Sequence, residues 1–121
     1  VLNWDIQHVD IKTAFLHGVL PENETVYMEQ PSGFEATGKE DWVMRLMKGL
    51  YGMKQASHIW NQTFHKTVTQ LSFQCLACEW CIYLQKSAHG TTIFAIHVDD
   101  IITISSLPDE NNCFKQQLHK H

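Results

Sequence analysis

Four apolar residues, Trp60, Phe64, Val68 and Leu71, recur at spacings of four, four and three. They mark one face of an α-helix, and the pattern predicts a helix over Ser57–Leu71 with Ser57 as its N-cap. Elsewhere the period is shorter. In residues 4–10, Ile6, His8 and Asp10 share one parity and Val9 falls on the other, which predicts a strand. It hands over to a turn or short helix at Lys12–Leu16. Val26–Glu29 and Trp42–Leu46 are short strand candidates, expected to pair as a hairpin, with Pro31, Ser32 and Gly33 stopping the first. Phe73–Cys78 has no clear period and is read as irregular. Cys81–Gln85 and Thr91–Val98 read as strands around a turn at Ala88-His89-Gly90, and Asp99-Asp100 then interrupts two β-prone runs, Ile93–Val98 and Ile101–Ile104. Pro108–Asn112 reads as a turn, followed by a helix up to His121. The expectation is an α+β chain, with an antiparallel sheet and the long helix packed on one face.

Composition narrows this only slightly. The chain has 121 residues, 44% hydrophobic and 18% charged, enough apolar content for one modest core and too little charge for disorder. The net charge of −4 has the wrong sign for an obvious nucleic-acid binder, but its distribution is uneven. Trp42–Cys78 holds no Asp or Glu while carrying Arg45, Lys48, Lys54 and Lys66. Cations suit phosphates and carboxylates suit metals, so a basic stretch between acidic ones is compatible with a polymerase, and equally with a solvated face. No apolar run approaches the ~20 residues of a membrane span, and no basic segment leads into an apolar one. Starting at Val1, the chain is expected to be a fragment. Its four cysteines do not suggest a disulfide framework, so an intracellular, reduced setting is the default.

Two adjacent aspartates between apolar β runs are costly unless a turn exposes them or a cation compensates them. Asp10 ends another apolar strand. If the strands are neighbours, Asp10, Asp99 and Asp100 meet at one end of a sheet. Such carboxylates suit Mg²⁺ (or Mn²⁺), which takes oxygen ligands and completes its shell with water and phosphates. An ordinary Asp-Asp turn with a solvent-facing Asp10 fits the same spacing.

Longer strings carry a more specific signal. VDIKTAFLHG at Val9–Gly18 resembles the first catalytic motif of copia-type (Ty/copia) retrotransposon reverse transcriptases. VYMEQPSGF at Val26–Phe34 and RLMKGLYGMKQASHIWN at Arg45–Asn61 resemble that family's next two blocks, and HVDDIITIS at His97–Ser105 resembles its Tyr-Val-Asp-Asp hairpin. The resemblance implies a partial polymerase palm over 1–121, with Asp10, Asp99 and Asp100 as metal-binding catalytic acids. Two ions would serve an in-line nucleotidyl transfer. It also implies that the backbone near Ile11 approaches metal and triphosphate, and that Phe15 lies beneath the incoming sugar, where a ring rejects a 2′-hydroxyl. Gln55 would brace the nascent base pair, and Lys54 would touch phosphate or simply face solvent. The implied partners are an RNA or DNA template-primer, a deoxynucleoside triphosphate, and the integrase and ribonuclease H domains of a polyprotein, in cytoplasmic particles.

Three positions depart from the family pattern: His97 for the usual Tyr, Ser57 for Pro, and Glu79 for Asp. The fingers, thumb and ribonuclease H are expected to lie outside this stretch, so the 121-residue chain alone is expected to be inactive. A non-catalytic relic or co-opted fragment, serving as a nucleic-acid or protein contact surface, is the alternative. Cys75-x-x-Cys78-x-x-Cys81 has spacing compatible with zinc or iron–sulfur, but buried, inert thiols are the expectation. His58 and His65 lie seven apart, too far for a shared metal shell.

Overall fold

The computed structural model describes residues 3–120. Five strands form one antiparallel sheet: β1 (Asp5–Asp10), β4 (Gln74–Leu76), β5 (Glu79–Lys86), β6 (Thr91–His97) and β7 (Asp100–Ser105). Their order across the sheet is β1-β7-β6-β5-β4. The short β2 (Tyr27–Glu29) and β3 (Val43–Arg45) pair separately, as the hairpin expected from their sequences. The described residues also form the helices α1 (Ala14–His17), α2 (Ala56–Gln70) and α3 (Pro108–Leu118). The α+β architecture agrees with the sequence reading. Among the described residues, no helix is long and apolar enough to cross a membrane.

Alternation gives the sheet two unlike faces. Tyr83, Phe94, Ile96 and Ile101 point to one face and are buried with Trp60, Phe64 and Val68 of α2 and Phe114 of α3. Phe94 is the centre of this core, stacked between Tyr83 at 4.8 Å and Phe114 at 4.9 Å between ring centroids. Phe64 meets Phe94 edge-on at 5.8 Å, an arrangement the ring quadrupole favours. Each such side chain contributes roughly 1.5–3 kcal/mol by leaving water. The opposite face carries no helix among the described residues, and leaves Ile6 and Ile102 exposed.

Three local readings are corrected. Helix α2 begins at Ala56, with Gln55 at its N-cap position making no side-chain cap, and Ser57 is exposed inside the first turn. Here the tight turn at Gly52, rather than a hydroxyl cap, delivers the chain into the helix, with Ala56 N–H bonded to the Met53 carbonyl. Phe73–Cys78 is not irregular throughout. It contains β4, whose register with β5 shifts between Cys75 and Leu76, and that bulge hides the period of two. Pro108–Asn112 is the first turn of α3, with proline where its missing N–H costs nothing and Asp109 and Glu110 near the positive end of the helix dipole.

The end of α2 has a sequence-silent device. The Phe73 N–H bonds the Val68 carbonyl at 3.1 Å and the Ser72 N–H bonds the Thr69 carbonyl at 3.0 Å. Together these two bonds make a Schellman cap, with Ser72 at φ 68 in the position usually taken by glycine. Phe73 and Val68, which flank the cap, both enter the core.

Candidate metal site at the hairpin tip

The register of β1 against β7 places Asp10 directly opposite Asp100. Cross-strand partners in an antiparallel pair have Cα atoms about 5 Å apart and side chains on one face. The carboxylates of Asp10 and Asp100 therefore share the open face of the sheet, and both residues are exposed. Strands β6 and β7 close with His97 opposite Asp100, so the two-residue turn is Val98-Asp99 and Asp100 is already in the strand. The sequence reading put both aspartates at the tip itself. Only Asp99 is there.

Val98 has φ 60 and Asp99 is not among the positive-φ residues, which is the pattern of a type II′ hairpin turn. Glycine is the usual occupant of that first position, and a β-branched residue there is strained by about 1–3 kcal/mol. Two hydrogen bonds hold it. The Trp60 indole N–H donates to the Val98 carbonyl at 2.6 Å, and the Ile11 amide donates to the Asp99 carbonyl at 2.8 Å. Thus α2 and the start of the Val9–Gly18 segment both fix the turn that carries Asp99.

A residue to which the sequence reading gave no role also reaches the site. His8 Nε2 lies 2.8 Å from Asp100 Oδ1, both side chains being well exposed. The available signal was parity: His8 and Asp10 are two apart on β1 and so face the same way. His97, opposite Asp100, shares that face. Asp10 and Asp100 thus share one end of the sheet, with Asp99 in the adjoining turn, and among the described residues no three His, Cys, Asp or Glu side chains converge as a preformed metal cage.

The neighbouring motif residues are positioned by close packing. A Cβ on Gly18 would come within 2.9 Å of Ile59 Cγ2, and one on Gly49 within 2.9 Å of the Phe15 carbonyl oxygen, so both contacts need glycine. This brings α1 against α2. Phe15 is half-buried, with its ring 4.6 Å from that of Tyr51. With Trp60, Ile96, His97 and Val98 it lines a cavity of about 170 Å³ beside the turn. Gln55 is half-buried and Lys54 exposed at the entry to α2, and among the described residues neither bonds to the three aspartates. Arg45, Lys48, Lys54 and Lys66 are all exposed. A larger cavity of about 510 Å³ opens on the helix side, with Ile11, Trp60 and Phe64 in its wall and Lys12 and Lys48 at it.

The cysteines correct another expectation. Cys78, Cys81 and Cys113 are exposed and Cys75 is partly covered, so the thiols are not uniformly buried. Burial raises the Cys75 thiol pKa, and burial also pushes the Tyr83 hydroxyl up to about 12, with Cys75 beside it.

The chain belongs to the reverse transcriptase (RNA-dependent DNA polymerase) family, whose model matches residues 1–121, and its relatives are of the Ty/copia type. It is 38% identical over 104 residues to the retrovirus-related Pol polyprotein from transposon TNT 1-94 of Nicotiana tabacum, covering 85% of this chain and 8% of that protein. A Ty5-1 transposon protein of Saccharomyces cerevisiae is 32% identical over 112 residues, 93% of this chain and 36% of its own length. The Pol polyprotein from transposon RE2 of Arabidopsis thaliana is 31% identical over 100 residues, 83% of this chain and 7% of its length. The chain therefore spans a small part of these relatives. No solved structure gives a significant match.

Proposed function

We propose that this chain supplies the metal-binding palm of an RNA-directed DNA polymerase within a longer retrotransposon polyprotein. The observation that carries the reading is the register that sets Asp10 opposite Asp100, one residue from Asp99 in a doubly pinned turn. The donors suit Mg²⁺ or Mn²⁺: they are carboxylates, exposed at Asp10 and Asp100 and half-buried at Asp99, at a sheet end open to water and phosphate. Asp10, Asp99 and Asp100 would hold the ions, which when bound activate the primer 3′-oxygen and neutralise the leaving pyrophosphate. Phe15, beside the turn, would exclude a 2′-hydroxyl. Gln55 and Lys54 would face the template-primer and its phosphates, and the integrase and ribonuclease H would act from the rest of the polyprotein.

A second reading, a non-catalytic contact fragment, draws on His8 sitting on Asp100. Mn²⁺ titration followed by paramagnetic broadening separates the two at the first level. Broadening centred on the Asp99 and Asp100 amides supports the polymerase reading, and broadening elsewhere or none up to high millimolar ion sinks it. The catalytic half is tested in a longer chain. Fusing the family's fingers ahead of Val1 and the following palm after His121 should yield template-dependent primer extension, and Asp99→Asn should abolish it, because an amide lacks the charge the ions require.

A further inference from the structure

We propose that Tyr51 is a positioning residue for Phe15, its ring holding the Phe15 ring in the place where it rejects a 2′-hydroxyl. This rests on the polymerase reading above and deepens it, by naming a second side chain on which sugar selectivity depends. The sequence reading gave Tyr51 no role.

Local backbone structure explains why the two rings meet. Lys48 forms an isolated antiparallel bridge with Val19, and the Gly49 N–H bonds the Gly18 carbonyl at 2.8 Å. The chain after β3 is thereby docked along the end of α1. The next four residues turn. The Met53 N–H bonds the Leu50 carbonyl at 3.2 Å and Gly52 has φ 94. This is the pattern of a type II turn, with Tyr51 at its second position and the required glycine at its third. The turn lays the Tyr51 ring 4.6 Å from that of Phe15 between centroids, with the planes tilted by 51°. Ring quadrupoles favour such a tilted pair over a face-to-face sandwich. Tyr51 remains 55% exposed, so its ring covers Phe15 rather than filling the core.

Phe15 needs such cover. It is half-buried on a helix of four residues, and it borders the cavity of about 170 Å³ that reaches Val98, the neighbour of Asp99. Tyr51 lies outside that lining and meets Phe15 away from the cavity. Space on the cavity side lets the Phe15 ring leave its rotamer, and pairing with Tyr51 opposes this. An aromatic pair biases such an equilibrium by roughly two- to tenfold. A ribonucleotide is accepted only while the ring is displaced, so its use scales with the displaced fraction. A deoxynucleotide is accepted in both states.

The test uses the extended fusion described above, and compares kcat/KM for a deoxynucleoside triphosphate with that for its ribonucleotide counterpart. Tyr51→Ala should lower the deoxy-to-ribo ratio by roughly two- to tenfold, through better use of the ribonucleotide. Tyr51→Phe should keep the wild-type ratio, because the ring and not the hydroxyl holds Phe15. In a Phe15→Ala background, Tyr51→Ala should change the ratio no further. A second readout needs no activity. In the 121-residue chain, side-chain NMR couplings of Phe15 should report one χ1 rotamer in wild type and Tyr51→Phe, and averaging in Tyr51→Ala. An unchanged ratio in Tyr51→Ala, or a loss of rate shared equally by both substrates, overturns the assignment while the polymerase reading stands. The same holds for a Tyr51→Phe variant as impaired as Tyr51→Ala, for an undiminished effect in the Phe15→Ala background, and for a Phe15 ring that stays fixed in Tyr51→Ala. A wild-type fusion that extends no primer defeats both readings together.

Discussion

The indole N–H of Trp60 donates to the carbonyl oxygen of Val98 at 2.6 Å, tying the middle of the core helix to the strained residue of the hairpin turn. Trp60 thus does two things that can be separated. Its ring packs against Phe64 at 5.5 Å and is almost fully buried, while its nitrogen satisfies a carbonyl that points in from the turn. Trp60→Ala should cost roughly 3–5 kcal/mol, the usual loss for a large buried aromatic. Trp60→Phe keeps most of the ring and should cost about 1–3 kcal/mol, the penalty for leaving that carbonyl unpaired. Urea denaturation of the three proteins measures both, and a Trp60→Phe variant as stable as wild type would show that the hydrogen bond contributes nothing.

At the other end of α2, Ser72 adopts φ 68 while exposed to solvent. Its side chain offers no local bond that compensates the left-handed backbone among the described residues. Ser72→Gly should stabilise the protein by about 0.5–1 kcal/mol, since the cap keeps both backbone bonds and loses the Cβ clash. A melting temperature that falls instead would mean that glycine's greater freedom in the unfolded chain outweighs the relief.

Tyr83 gives an alkaline signature. Its pKa lies at about 12 in the folded protein, above the ordinary tyrosine value near 10, because burial penalises the phenolate. The unfolded chain therefore loses this proton first as pH rises. The stabilisation is fully present below about pH 10 and is lost between about 10 and 12, at no more than about 1.4 kcal/mol per pH unit. Denaturation midpoints measured at pH 9 and 11 should show this fall. Tyr83→Phe should flatten it, at the expense of the hydroxyl's contact with His65 Nδ1 at 3.1 Å.

How much of this was legible beforehand depended on whether a feature had a period. The α2 stripe and strands β1, β5, β6 and β7 follow from regular spacing, whereas the meeting of Asp10 with Asp100 was conditional on β1 and β7 being neighbours, which only their register supplies. Features carried by single backbone angles left no trace. Ser72 and Val98 occupy left-handed positions without being glycine, so neither the Schellman cap nor the turn type could be read. β4 was hidden by its bulge. His8 was visible as a residue on the right parity, but only the β1–β7 register makes it a neighbour of Asp100.

That same register makes the site costly to fold, which leads to the last expected outcome. Like charges directly opposite on neighbouring strands are destabilising, and Asp10 and Asp100 are such a pair. Asp100 is partly compensated by His8, whereas among the described residues the Asp10 carboxylate has no hydrogen-bond or ion-pair partner. Asp10→Asn should therefore stabilise the metal-free protein by about 0.2–1 kcal/mol. Asp100→Asn should gain less, because it also weakens the contact with His8. The gain is electrostatic at an exposed site and should shrink as salt rises from low to about 0.5 M. Divalent ion should reverse the ranking. A ligand that binds only the folded state stabilises it in proportion to the logarithm of its concentration over Kd, so 20 mM Mn²⁺, on the order of ten times a millimolar Kd, would add about 1.4 kcal/mol to the wild type and little to either variant. Thermal melts with and without the ion read both halves. If Asp10→Asn is destabilising without metal, the two carboxylates do not repel and the site is not held at an energetic cost for binding a cation.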